Sequence, residues 1–344
     1  MKKSKPALFN MFVCLVPFLI MLVGCTNNTD GVETVADNEG DSEEVYNFEL
    51  VAYMGFDNIL TKDVVPMWIE KIEESTAGRV QIEWVGGHEV IPREEQFDAV
   101  SNGIVDVSFN ASAFFSHIMP EADTLHLSPY TPHEERENGY FNYLSEKFEN
   151  HNLKYLGRYI SGMGFYLWSN EKIETLEDLK GLSFRTSPVY QDILDRLGVN
   201  PVSIPPAEIY TAIDRNMVDG YGYPILGPYE DGLTEVTNYI INEPFLNNNN
   251  AIFFNMDVFQ TLPSELQETL LKATEEFEYD MLVHFEKESE RQWENSLKHV
   301  EIIDLGDEDS ERFQEVVNDV YWEKFESDIP DEVDVIKELF DITN

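Results

Sequence analysis

Between Tyr46 and Asn110 the chain alternates between two hydrophobic periods, and that alternation narrows the folds open to it. YNFELVAY reads as a strand. Val65, Trp68, Ile69 and Ile72 then recur at helical spacing, a stripe one side of a helix would bury. Gly78 ends that helix, and Val80, Ile82 and Trp84 alternate as a strand. Phe97, Val100 and Ile104 mark a second helix, and Val105, Val107 and Phe109 a third strand. Strand, helix, strand, helix, strand predicts an α/β architecture with a mostly parallel sheet.

The pattern returns past the middle. LGRYISGMGFYLWSN is strand-like and broken by glycines. TLEDLKG reads as a short helix, with Thr175 and Asp178 placed as in a capping box and Gly181 near its end. LSFR follows as a strand. Ser187 as cap and Pro188 in the first turn predict a helix carrying Val189, Ile193, Leu194 and Leu197, ended by Gly198. NPVSI and PAEIYTAIDRN add another strand and helix. Two segments echo each other, EEQFDAVSNGIVDVSF and AEIYTAIDRNMVDGYG. Each leads a helix into a Val-Asp pair, Val105-Asp106 and Val218-Asp219. Such an echo favours two similar α/β halves. From Leu262 onward the chain is helical, with Leu266, Leu270, Ala273, Phe277, Met281 and Phe285 on one stripe that either bends or braces both halves.

Lys and Arg number 23 against 66 Asp and Glu, a formal net charge of −43. That excludes nucleic acid as a partner, because phosphate binding needs a positive footprint. The first residues run against the trend: Lys2, Lys3 and Lys5, an apolar run, then Leu22-Val23-Gly24-Cys25. This reads as an export signal over residues 1–25 whose end resembles a bacterial lipoprotein processing box, with Cys25 as the lipidated residue. Residues 26–45 are polar and acidic, a composition that predicts a disordered tether. The other cysteine, Cys14, lies inside the signal, so the mature chain has no internal disulfide and no cysteine-based metal site. The protein is thus expected outside the cytoplasm, anchored to the membrane through Cys25.

Catalytic patterns are missing. His133-Glu134 lacks the second histidine of a zinc-hydrolase helix. There is no Gly-x-Ser-x-Gly elbow and no phosphate-cradling glycine–lysine loop. Neither an enzyme nor a bound cofactor or metal is expected.

WIEKIEESTAGRVQIEWVGG, EEQFDAVSNGIVDVSF and, above all, LEDLKGLSFRTSPVYQDILDRLGVNPVSIPPAEIYTAIDRNMVDGYGYP carry a resemblance. In order and spacing they resemble the extracytoplasmic solute-binding proteins of tripartite ATP-independent periplasmic (TRAP) transporters, the DctP-like family, from about residue 46 almost to the end. The resemblance implies a two-domain, periplasmic-binding-protein-like fold of type II with a long domain-spanning helix. Residues 46–162 with 251–290 would form domain I, and 163–250 with 291–344 domain II. It implies a small organic acid held in the cleft and delivered to TRAP membrane permease subunits. A ligand-sensing lipoprotein presenting its closed form to a receptor or sensor kinase would share the same fold.

The resemblance places Arg185 as the group that pairs with a ligand carboxylate, a role a planar guanidinium suits. Acid-binding relatives often carry a second arginine near SGMGFYLWS; here Met163, Gly164 and Phe165 stand there. One acidic head on a less polar body is therefore expected, walled by Phe165, Tyr221 and Tyr223. Phe56 lies where the family brings a loop to the cleft, and Trp168 either lines the pocket or fills the core. Asn110 and Ser112 end a strand at the expected cleft mouth, and Asn255 could reach it at a crossover. Asp219 reads as structural.

Overall fold

The computed structural model describes residues 44–342; the expected signal segment, Cys25 and the tether up to residue 43 lie outside the described residues. The described residues fall within one compact unit. The first half runs β1 (Tyr46–Ala52), α1 (Val64–Ser75), β2 (Val80–Gly86), α2 (Gln96–Ser101), β3 (Val107–Asn110), α3 (Pro132–Asn138), α4 (Tyr140–Glu149) and β4 (Leu153–Ser169). Then come β5 (Ser183–Thr186), α5 (Gln191–Arg196), β6 (Asn200–Ser203), α6 (Ile209–Asp214), β7 (Gly220–Pro224) and β8 (Tyr239–Asn255). The chain closes with α7 (Met256–Phe259), α8 (Ser264–Ser296), β9 (Glu301–Ile303), α9 (Asp307–Asp328) and α10 (Val333–Leu339).

The strands join one sheet in the order β2-β1-β3-β8-β4-β7-β5-β6, with β9 beside β8. Its flanks are parallel, as the helix–strand alternation predicts. Its centre is not: β3–β8, β8–β4 and β4–β7 are antiparallel. The 17-residue strands β4 and β8 make this centre, each about 55 Å at full extension. Their register shifts repeatedly between Tyr155 and Leu167, where glycines break the sequence pattern.

The sheet is buried on both faces. Leu50, Ala52, Ile252 and Phe254 face one core, under α1, α6 and α8. Val51, Ala251 and Phe253 face the other, under α2, α4, α9 and α10. Residues adjacent in sequence thus join opposite cores, as the period of two requires. The 33-residue α8 runs unbroken and is pinned to α1 by the Trp68 indole N–H donating to Thr274 Oγ1 at 3.0 Å.

The Val-Asp echo has a structural basis. Asp106 accepts the Glu49 N–H at 2.8 Å, and Asp219 accepts the Ser183 N–H at 2.8 Å. Each carboxylate precedes one parallel strand and ties its entry to the neighbouring one, β3 to β1 and β7 to β5. One prediction fails locally. The helix after Arg185 starts at Gln191, with Ser187 to Tyr190 forming a turn closed by Tyr190 N–H to Ser187 O at 3.2 Å. The Tyr190 ring is drawn into the core to bond Gly222 O at 2.8 Å, which holds this segment out of the helix.

Candidate functional site

Arg185 sits near the carboxyl end of β5, paired with Val202 of β6 and Tyr221 of β7. Its side chain is 6% exposed. Nε donates to Ile204 O at 2.9 Å and Nη1 to the Tyr190 hydroxyl at 2.8 Å. Nη2 has no protein partner among the described residues, and no carboxylate there lies within 4.0 Å of this guanidinium. Burying a cation without a counter-ion is costly, so the arrangement suits an anion arriving from outside.

Tyr190 sets the guanidinium in place. Its hydroxyl takes a hydrogen bond from Arg185 and gives its own to Gly222 O. Beneath it, a Cβ at Gly222 would stand 2.7 Å from the Tyr190 ring, so the glycine is what lets the ring lie flat on β7. Phe165 and Phe245 flank that ring, each with its centroid 5.8 Å away.

Arg185 faces a cavity of about 300 Å³. Phe165 of β4, Tyr223 of β7, Tyr53 after β1 and Phe114 supply aromatic walls, and Arg93 a second cation. Asn248 and Asn249 of β8 and His126 add the polar side. Burial, reinforced by Asp231, pushes the Tyr223 phenol up to about 12, so its hydroxyl stays a neutral donor. His126 Nδ1 lies 2.8 Å from Asn247 O and 3.1 Å from Asn249 Nδ2. Nε2 lies 3.3 Å from Ser112 Oγ. Burial depresses the His126 pKa despite nearby Asp123, so the ring is neutral.

Of the residues expected from sequence, Arg185, Phe165 and Tyr223 share this cavity. Ser112 stands one contact behind it through His126, and Asn110 holds the Arg93 carbonyl at 2.9 Å. The rest lie outside the lining. Tyr221 and Trp168 stack in the core with centroids 6.0 Å apart, the Tyr221 hydroxyl 3.1 Å from Thr237 Oγ1. Phe56 is 51% exposed and packs on Trp84, and Asn255 caps α7 through the Val258 N–H at 3.0 Å. Reading the sequence missed His126, Tyr53 and the asparagines, and left Arg93, in a proline-containing loop, open between the cleft and plain surface. Four consecutive asparagines, Asn247 to Asn250, inside an apolar strand were the available signal, since asparagine is a poor strand former. Among the described residues no cluster of His, Cys, Asp and Glu could hold a metal ion.

The model of the family described as DctP, bacterial extracellular solute-binding protein, family 7, matches residues 53–328. A monocarboxylate 2-oxoacid-binding periplasmic protein of Nostoc sp. is 25% identical over 63% of this chain and 62% of its own length. A 2,3-diketo-L-gulonate-binding periplasmic protein of Escherichia coli is 21% identical over 79% of this chain and 84% of its own. The chain thus spans less than two thirds of the Nostoc relative. Among solved structures, a TRAP periplasmic solute-binding protein from Desulfovibrio salexigens with bound orotic acid superposes with a TM-score of 0.75 at 18% identity. That superposition covers 86% of this chain and 97% of the other. The family match takes in both echoing halves, the antiparallel centre and most of the helical tail: this chain belongs to the DctP family of bacterial extracellular solute-binding proteins.

Proposed function

We propose that the chain captures a small organic acid in the Arg185 cavity, closes over it, and hands it to the membrane permease of a TRAP-type secondary transporter. One observation carries this reading: a buried guanidinium that, among the described residues, has a free Nη2 and no carboxylate partner, on an aromatic-walled cavity in a chain where carboxylates abound. Relatives support the ligand class, since the Nostoc protein is named for 2-oxoacids and the Desulfovibrio structure holds orotic acid. A carboxylate would take Nη2 and the Tyr223 hydroxyl while the aromatic walls shed water from its body.

Closure is assigned to two parts, residues 46–162 with 251–290 and residues 163–250 with 291–344. Only β4 and β8 and the helical tail pass between them. There the ladder slips between Ile160 and Met163, and Gly162 and Leu246 take positive φ of 71° and 53°. Such positions absorb a hinge rotation at little cost. Cys25 is assigned the lipid that keeps the protein at the outer face of the membrane.

Calorimetry with a panel of mono- and dicarboxylic acids tests the anchor. Arg185→Ala is expected to lose about a hundredfold or more in affinity for the best acid, as removal of a buried charge-assisted contact does. Unchanged binding would refute it. Cys25→Ala is expected to release the protein from the membrane fraction.

A further inference from the structure

Arginines elsewhere in the described residues follow the acidic composition. Arg79, Arg136, Arg158, Arg196, Arg291 and Arg312 each hold a carboxylate. Three others form no ion pair there: Arg93, Arg185 and the exposed Arg215. Arg93 and Arg185 line the same cavity. With 66 acidic residues available, leaving two guanidiniums unpaired around one small volume is a specific arrangement.

Arg93 is also held in position. Asn110, fully buried at the end of β3, fixes the Arg93 backbone through its carbonyl at 2.9 Å. The guanidinium lies over the Phe114 ring, 5.1 Å from its centroid, which fixes its plane without using its N–H donors. Glu94 also lines the cavity, but it is exposed and makes no ion pair with Arg93. The other titratable side chains of the lining are Tyr53, Tyr223 and neutral His126. Arg93 comes from the loop before α2 and Arg185 from β5, so the two cations belong to the two different parts assigned to closure.

We propose that Arg93 is the specificity-determining residue of this cavity, taking a second anionic group of a ligand whose first is held by Arg185. The ligand class is then a small dianionic acid, one carboxylate plus a second carboxylate, phosphonate or phosphate, with its body against Phe165, Phe114 and Tyr223. Because each end engages a different part, the same ligand bridges them and favours the closed form, which a monoacid held by Arg185 alone does less well. This rests on the reading of the cavity as an acid site.

The test is calorimetry of chain-matched pairs, pentanoate with glutarate and hexanoate with adipate, together with 3-phosphonopropanoate. Wild type, Arg93→Gln, Arg93→Lys and Arg185→Gln are compared after melting curves confirm folding. In wild type the dianion is expected to bind at least about tenfold tighter than its matched monoacid. Arg93→Gln is expected to erase that preference, weakening the dianion at least about tenfold more than its matched monoacid, and Arg93→Lys to retain much of it. Arg185→Gln should weaken both members of each pair. Equal binding of the pair by wild type, or equal weakening of both by Arg93→Gln, would overturn the role of Arg93 alone. Failure of every acid to bind wild type would overturn the acid site and this inference together.

Discussion

Gly222→Ala is the substitution whose consequence can be worked furthest from geometry. The added methyl would stand 2.7 Å from Tyr190 Cε2 and 2.8 Å from Cζ, where carbon atoms pack no closer than about 3.5 Å. The ring must therefore retreat by about 0.8 Å, and Phe165 and Phe245 on its flanks oppose that motion. A retreat of that size carries the 2.8 Å contact between the Tyr190 hydroxyl and Arg185 Nη1 to about 3.6 Å, too long for a hydrogen bond. Overpacking should cost about 1–3 kcal/mol of stability. Loss of a bond to a charged group is worth about 1.5–3 kcal/mol, so affinity for the best acid should fall about ten- to a hundredfold. Tyr190→Phe serves as the control, because it removes the same bond without adding volume and should reproduce the affinity loss with a smaller stability loss. Calorimetry and thermal melts read both quantities. Wild-type affinity in Gly222→Ala would show that Tyr190 does not position Arg185, and the reasoning would fail.

Other substitutions probe the scaffold. Phe253→Ala removes a ring that meets Phe97, Phe115 and Phe148 in one core, and should cost about 3–5 kcal/mol in denaturant unfolding. Asn255→Ala removes both the α7 cap and the hydrogen bond to Val100 O at 2.7 Å, an expected loss of about 1–2 kcal/mol with acid affinity unchanged. Burial drives the Glu278 carboxyl up to about 7 from 4.5, against the pull of Arg136. The folded state therefore binds more protons than the unfolded chain between those values, and this group's contribution to stability declines as pH rises through that window. The full swing is about 3 kcal/mol, and the difference between wild type and Glu278→Gln should change by that amount between pH 4.5 and 7. A pH-independent difference would contradict it.

The flanking α/β units were legible because hydrophobic period is a local property: Leu50, Trp68, Ile82 and Phe97 announce their elements within a few neighbours. The capping box of Thr175 and Asp178 was legible for the same reason, and both halves of it form. The antiparallel centre was not. Leu153 pairs with Asn255, and Ser169 with Tyr239, and nothing near either residue names its partner. The turn before α5 was misread as helix because Ser187-Pro188 is a sound local helix start. What overrides it is Tyr190, whose bond to Gly222 is set by a strand further down the chain.

The site divides along the same line. Arg185 stood out because a strand ending in arginine sits inside a dense motif, whereas Arg93, next to Glu94 and Glu95, reads as one charge among many. Only the fold shows that it has no acidic partner among the described residues. The asparagines follow from the strand they occupy. Beside the slips of the β4–β8 ladder, the asparagine amides reach groups outside it. Asn247 Nδ2 donates to Ser128 O at 2.9 Å and Asn250 Nδ2 to the Tyr53 hydroxyl at 3.0 Å. The irregularity that would let the two parts hinge thus brings polar groups to the cavity's edge. If the two proposed parts close about β4 and β8, the hinge and the polar wall of the cavity are one piece of chain, so a substitution at Asn248 or Asn249 should alter acid affinity and the extent of closure together.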